Sequence, residues 1–404
     1  MRRWGAHFTC IAPDTPGFGQ SDPLEGEPEI DAFADALIAF CQAVGIGRCP
    51  AYGFHSGGVI LVAATKRRPG LFRALAIGGY AVWTEAELAW FGDRYLPEWQ
   101  PEPYGEHLTW LWNRILEQSW YFPWFDARDE ARLTVANADP MRVHRSVMEM
   151  LDSGNAYRAG YGAVLRAPRS LPAADPELPP ALITAFEGDP LLPHLDRLTD
   201  LPPGWSAHAV ATPEAHQDAS LAFLQAHAGS APCPPLAEDA EEGWLALDHG
   251  LVHWRGTRDG EDMFLHAPAA ELQRPPRGFL TIDVPGHGHS DPAPDIDRAI
   301  LQTAQALGAA RIVYPPLPPG DPQQLYPDMT PDRFGHYLTA AWSAARAEAI
   351  FAPWYDAGPA AAIPIEEAAL APVAIHRRAR ARIRAGDAAA RYHHMLQQQK
   401  DRTG

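Results

Sequence analysis

One decapeptide of this chain occurs twice in nearly the same form. Asp14-Thr15-Pro16-Gly17-Phe18-Gly19-Gln20-Ser21-Asp22-Pro23 returns as Asp283-Val284-Pro285-Gly286-His287-Gly288-His289-Ser290-Asp291-Pro292. Three more blocks recur in the same order. Pro28…Ile30-Asp31 returns as Pro294…Ile296-Asp297. Tyr104-Gly105…Trp112…Pro123-Trp124-Phe125-Asp126 returns as Phe334-Gly335…Trp342…Pro353-Trp354-Tyr355-Asp356. His144-Arg145…Gly154…Ala156 returns as His376-Arg377…Gly386…Ala388. Four ordered matches that include Trp and Pro read as an internal duplication. The spacing between matched blocks shrinks after the first two, so the second copy is expected to lack residues between its turn and its Trp-rich block. A chain that repeats itself in this way is expected to hold two related copies of one fold.

Length and composition agree with that reading. At roughly 100–200 residues per domain, 404 residues suit two large domains. The apolar fraction of 46% and charged fraction of 21% are those of a globular protein. The net charge of −17 repels phosphate backbones and anionic lipid, so neither nucleic acid nor membrane is expected as a partner. No apolar run is long enough to span a bilayer, and Met1-Arg2-Arg3-Trp4 leads into no signal-type segment. Cys10, Cys41, Cys49 and Cys233 show no metal-ligand spacing, and neither a metal nor a cofactor is expected. A cytoplasmic location follows as an expectation.

Short apolar runs alternate with helical patterns in the first half. Strands are expected at Phe8–Ala12, about Cys49–Gly53, Ala74–Gly79, Ala181–Phe186 and about Ala207–Ala211. Helices are expected from Asp31, at Val59–Thr65 and from Asp218 to His227. This alternation predicts a mostly parallel sheet covered on both faces. Residues 83–170 break the pattern. Seven of the 13 Trp fall between Trp83 and Trp124, and the periodicity turns helical, as in a cap laid over a sheet. The acidic, Pro-rich stretch 229–243 reads as a linker. Beyond it, Trp244–Leu247, Leu251–Arg255 and Met263–His266 read as strands, and 323–400 as a second cap. The expected domains are therefore 1–228, which lacks its first strands, and 244–404, which lacks its last.

Chemistry concentrates at Gly53-Phe54-His55-Ser56-Gly57. Glycines flank a residue between an expected strand and an expected helix. Such a bend lifts one side chain above the sheet and aims the next N–H, at a helix start, toward a developing oxyanion. Together with the Asp14–Asp22 turn and the late His216, these residues resemble the α/β-hydrolase superfamily. The resemblance implies an α/β fold with a mostly parallel sheet and a helical cap. It implies an acid at Asp189, within Gly188-Asp189-Pro190, and a base at His216. It also implies a small-molecule substrate: a partly apolar ester, amide or carbon–carbon compound.

The sequence departs from the superfamily where the nucleophile is expected. His55 stands there, and Ser56 follows one residue later. Ser56 either attacks or simply begins the helix. His55 either works as a general base or is the remnant of a lost nucleophile. Asp189 has the alternative of a turn residue, and His216 that of a surface loop. The Ser56 N–H and His266, in His266-Ala267-Pro268, are the oxyanion candidates. Phe54, Trp110 and Trp124 are candidate substrate contacts, with cap packing as the alternative for the two Trp. In the second copy the corresponding bend reads Tyr314-Pro315-Pro316-Leu317-Pro318-Pro319-Gly320, which cannot continue a strand into a helix. Either strands 244–266 complete the first sheet, bringing His266 to His55, or the copies are separate. Three functions remain open: a hydrolase, an inactive hydrolase-like binding or assembly protein, and a non-hydrolytic His-based acid/base enzyme such as a lyase. Self-association as a homo-oligomer is a further expectation.

Overall fold

The computed structural model describes residues 3–134, 139–229, 241–258, 262–272 and 278–403. Most of the expected linker, at 230–240, lies outside them, as do Met1 and Cys233. The elements in chain order are α1 (Ile30–Ala43), β1 (Cys49–Phe54), α2 (Ser56–Arg67), β2 (Phe72–Gly78), α3 (Glu85–Tyr95), α4 (Glu106–Gln118), α5 (Pro140–Ser153), α6 (Ala156–Arg166), β3 (Ala181–Phe186), β4 (Trp205–Val210), α7 (Pro213–Ala226), β5 (Glu242–Leu247), β6 (Gly250–Gly256), β7 (Asp262–Leu265), β8 (Leu280–Ile282), α8 (Ile296–Ala306), β9 (Arg311–Val313), α9 (Pro322–Leu325), α10 (His336–Glu348), α11 (Pro372–Ala385) and α12 (Ala388–Thr403). No helix among the described residues is long and apolar enough to cross a membrane.

The chain divides into two units. Unit 1 holds Met1–Gln100, Arg114–Ala138 and Glu149–Ala237. Unit 2 holds Pro101–Asn113, Asp139–Met148 and Glu238–Gly404. The division departs from the expected boundaries, because two pieces of the first cap belong to unit 2. The reason is packing. His107, Trp112 and His144 lie against side chains of α10 and α11.

Unit 1 is built on a four-stranded parallel sheet in the order β1-β2-β3-β4. Its central strands are near-continuous apolar runs, interrupted by the exposed Arg73 in β2 and by Thr184 in β3, as suits strands covered on both faces. Leu75, Ile77 and Ile183 are fully buried and pack with Val62, Val59 and Ile30 from the covering helices. Replacing one such residue by Ala would cost about 2–5 kcal/mol. The expected strand at Phe8–Ala12 has no ladder partner among the described residues and runs as irregular chain. Phe8 instead packs beside Trp4 and Tyr52 on the small cluster around Ala74 and Ala76.

Unit 2 carries a separate five-stranded mixed sheet in the order β5-β6-β8-β7-β9. Antiparallel pairing joins β5 to β6 and β6 to β8, and the remaining pairs are parallel. Among the described residues, the strands after residue 241 therefore pair with one another and do not extend the first sheet. Val252, Met263, Leu280, Ile282 and Ile300 form the unit's core with Tyr392 of α12. The basic run of α11 is held within this unit: Arg380 pairs with Glu271 at 2.8 Å and Arg382 with Glu348 at 3.0 Å.

The repeated decapeptide folds alike in both units. The Asp14 carboxylate accepts from Gln20 N at 3.0 Å, and the Asp283 carboxylate accepts from His289 N at 3.0 Å. Ser21 Oγ donates to Asp14 O and Ser290 Oγ to Asp283 O, at 2.9 and 2.7 Å. The Trp-rich blocks agree too. Trp124 Nε1 donates to Tyr95 O in unit 1, and Trp354 Nε1 to Leu325 O in unit 2.

Candidate active site

In unit 1 the chain leaves β1 at Phe54, bends at His55 and enters α2 at Ser56. The bend is tight enough to force His55 to φ 48°, ψ −111°, one of three described non-glycine residues at positive φ. A Cβ on Gly53 would lie 2.5 Å from the Gly57 carbonyl carbon, so no larger residue fits there. His55 N is anchored by Gly78 O at 2.8 Å. The imidazole therefore stands at the C-terminal end of the parallel sheet, where open α/β sheets place their ligands.

His55 Nε2 lies 3.1 and 3.3 Å from the two oxygens of Asp189. A carboxylate only accepts, so Nε2 carries the proton and Nδ1 is left as the basic atom. Asp189 has a fully buried side chain just beyond β3, and its Oδ1 also accepts from Leu191 N at 2.8 Å. The His55 ring keeps 35% of its surface exposed. Phe54 stacks on it with centroids 4.0 Å apart. Gly79, at φ +57°, makes room for the pair, since a Cβ there would meet the His55 ring at 2.6 Å and Asp189 at 2.8 Å.

His216 takes a different position. It lies in the first turn of α7 rather than in a loop before it, and it is 1% exposed. Its Nε2 meets Tyr52 Oη at 2.9 Å, and its Nδ1 meets Thr184 Oγ1 at 2.6 Å. Gln217 Nε2 donates to Tyr52 Oη at 3.2 Å. Both ring nitrogens are thus taken by hydroxyls, and Asp189 is bonded to the other histidine. Burial pushes the His216 pKa down, opposed by Asp189 and assisted by His55. The neutral ring fits a chain in which Gln217 donates to Tyr52, Tyr52 to Nε2, and Nδ1–H to Thr184. Burial also raises the Tyr52 hydroxyl, which keeps it a donor.

Ser56 is half-buried at the start of α2. Its hydroxyl bonds none of His55, Asp189 or His216 among the described residues. Its N–H and that of Gly57 belong to the first helical turn, where backbone donors have no intrahelical acceptor. Those donors, with the helix dipole behind them, suit an oxyanion.

The structure thus gathers His55, Asp189, His216, Phe54 and the Ser56 N–H at one end of one sheet. Trp124 is also in unit 1, tied to Tyr95 O, with the Arg114 guanidinium 5.1 Å from its ring centroid. His266 and Trp110 belong to unit 2. There His266 Nε2 accepts from Val284 N at 3.0 Å and Nδ1 meets Ala267 O at 2.8 Å, so its ring braces the repeated turn.

Sequence reasoning missed Tyr52, Thr184 and His194. Tyr52 and Thr184 sit on strands near the site end, where alternation could have exposed them. His194 is 2% exposed and accepts from Val82 N at 2.8 Å; burial and Arg197 lower its pKa to about 4. Nothing in its local sequence marks it. The counterpart of the bend in unit 2 is irregular chain: β9 stops at Val313 and only the one-turn α9 follows.

This chain belongs to the α/β hydrolase fold family, whose pattern it matches over residues 3–210. Solved structures similar to it include a carboxylesterase from the thaumarchaeon Nitrososphaera gargenis, at 15% identity over 52% of this chain and 77% of that one, with a TM-score of 0.38. The epoxide hydrolase CorEH is 14% identical over 54% and 82%, with a TM-score of 0.37. The proline iminopeptidase of Mycobacterium smegmatis is 18% identical over 53% and 78%, with a TM-score of 0.35. No curated protein matches the chain.

Proposed function

We propose that unit 1 is a small-molecule hydrolase in which a His55–Asp189 pair replaces the covalent nucleophile, and that residues 53–57 form a nucleophile elbow carrying an imidazole. The reading rests on one observation: His55 Nε2 is 3.1 Å from a buried Asp189 while the ring remains exposed. Asp189 fixes the tautomer, so Nδ1 is the base. It takes a proton from water as the water oxygen attacks an acyl carbon. The carbonyl oxygen becomes an oxyanion held by the N–H groups of Ser56 and Gly57. The carbon–leaving-group bond then breaks, and the proton on Nδ1 passes to the leaving oxygen. Water activation by a positioned base contributes roughly 10²–10⁴-fold, so activated esters with apolar acyl groups are the substrates to try. Phe54 offers an apolar face for such a group. In this reading Ser56 supplies its N–H and not its hydroxyl, and the enzyme is cytoplasmic.

A panel of p-nitrophenyl esters tests it against His55→Ala, Asp189→Asn, Ser56→Ala and His216→Ala. The expected result is hydrolysis by the wild type, near-complete loss in the first two variants, and a smaller loss in the others. A fluorophosphonate should leave Ser56 unlabelled. Equal rates in all five proteins would overturn the assignment.

A second reading is favoured by the two hydroxyls that hold His216. A base locked in this way suits a hydrolase-like protein that binds or assembles without turnover. No ester hydrolysis by a folded wild type would select it. Under either reading, residues 244–404 are a duplicate of the first half without its own nucleophile, since prolines occupy its bend.

A further inference from the structure

We propose that the two caps are halves of one self-complementary interface, related by a local twofold, so that the second copy serves the first as a built-in dimer partner. The contacts lie within unit 2, which holds 101–113 and 139–148 of the first cap together with the second cap. Gly105 and Gly335 correspond in the repeat, as do His107 and Tyr337, Trp112 and Trp342, and His144 and His376.

Each contact appears twice with the partners exchanged. A Cβ on Gly105 would meet the Trp342 ring at 2.8 Å, and a Cβ on Gly335 would meet the Trp112 ring at 2.7 Å. His107 Nε2 lies 3.3 Å from His376 Nδ1, while Tyr337 Oη lies 2.8 Å from His144 Nδ1. His107 and Trp342 rings meet edge-on with centroids 5.0 Å apart, and Tyr337 and Trp112 do so at 5.8 Å. Exchange of partners about an axis is the property of an isologous contact, in which residue i touches j and j touches i. Two unrelated helix pairs have no reason to reproduce it at four positions.

The surface has the character of a stable interface. Trp112, Trp342 and Tyr337 are each 2% exposed and His107 is 4% exposed. The two glycines let the indoles reach the opposing backbone, and aromatic anchors seated in close-fitting sockets dominate binding energy.

A full-length protein with a specific protease site inserted between 230 and 238 tests this. After cleavage the two pieces are expected to stay together in sedimentation at the mass of the uncut chain. Trp112→Ala and Trp342→Ala are each expected to weaken their association about 10- to 100-fold, and by similar factors. Circular dichroism of each uncut variant checks that the fold survives. Because a cavity can unsettle a cap, Tyr337→Phe and His107→Phe form a milder pair, expected to weaken association by a few fold each. Separation of the wild-type pieces on cutting would overturn the proposal. So would pieces that stay together unchanged in all four variants, or a loss confined to variants of one copy.

Discussion

Units 1 and 2 share a turn but not a bend. The Asp14 turn and the Asp283 turn have the same hydrogen bonds at nearly the same lengths. In the next stretch they part. Unit 1 passes from β1 through His55 into α2, whereas unit 2 passes from β9 through four prolines into a single helical turn. The turn is kept where a carboxylate must close a backbone loop, which is a demand of folding. The bend matters only where a side chain must be held above the sheet, which is a demand of chemistry. The comparison teaches that the turn's hydrogen bonds do not depend on the bend that follows, since unit 2 has the first without the second.

The largest effect should come from the bend. His55→Ala or Asp189→Asn is expected to lower the proposed ester hydrolysis roughly 10²–10⁴-fold, whereas Pro316→Ala in unit 2 should leave it within about twofold. A comparable loss from the unit 2 change would erase the distinction between the units. Gly79→Ala comes next. It combines a positive φ with a Cβ 2.6 Å from the His55 ring, so about 2–4 kcal/mol of unfolding free energy should vanish in a denaturant titration.

The shared turn predicts matched damage. Gly19→Ala and Gly288→Ala would place a methyl 2.2 and 2.1 Å from the Asp14 and Asp283 carboxylates, so each should destabilise by about 1–3 kcal/mol. Melting curves that differ widely between the two would show that the turns bear unequal loads.

Acid should weaken both units. Burial depresses His194 of unit 1 to about 4, and His287 of unit 2 to about 3 with help from His266. Their unfolded pKa is near 6.5, so below that the unfolded chain binds more protons and stability falls with pH. The contribution is complete above about pH 6.5 and is lost as pH drops toward the folded values. His287 alone should remove about 2 kcal/mol at pH 5, read as a lower melting midpoint than at pH 7. A midpoint unchanged between those pH values would contradict the burial of these rings. The smallest effect is expected from Thr184→Val, which deletes one bond to His216 for about 1 kcal/mol and tests whether that ring is held or merely adjacent.

Much of unit 1 was legible from its residues. Ala181–Phe186 is a strand with the expected ends, because an apolar run bounded by Pro180 and Gly188 has nowhere else to stop. Phe8–Ala12 is similarly apolar but pairs with no strand among the described residues, and a strand exists only through its neighbour. The candidate site was legible as a set of residues and not as a wiring. His55, Asp189 and His216 lie at the same end of one sheet. The pairing of Asp189 with His55, and of His216 with Tyr52 and Thr184, depends on rotamers that tertiary packing selects. The assignment of 101–113 and 139–148 to unit 2 was hidden for a related reason: an amphipathic stripe announces that a helix is covered, not by what.

The backbone at His55, at positive φ with ψ −111°, holds strain in the native state. A side chain there costs about 1–3 kcal/mol and glycine much less, so His55→Gly should give a sturdier protein unless the ring's bond to Asp189 contributes more. Calorimetry of that one variant would tell whether the imidazole ring strains the fold at this spot or tethers it.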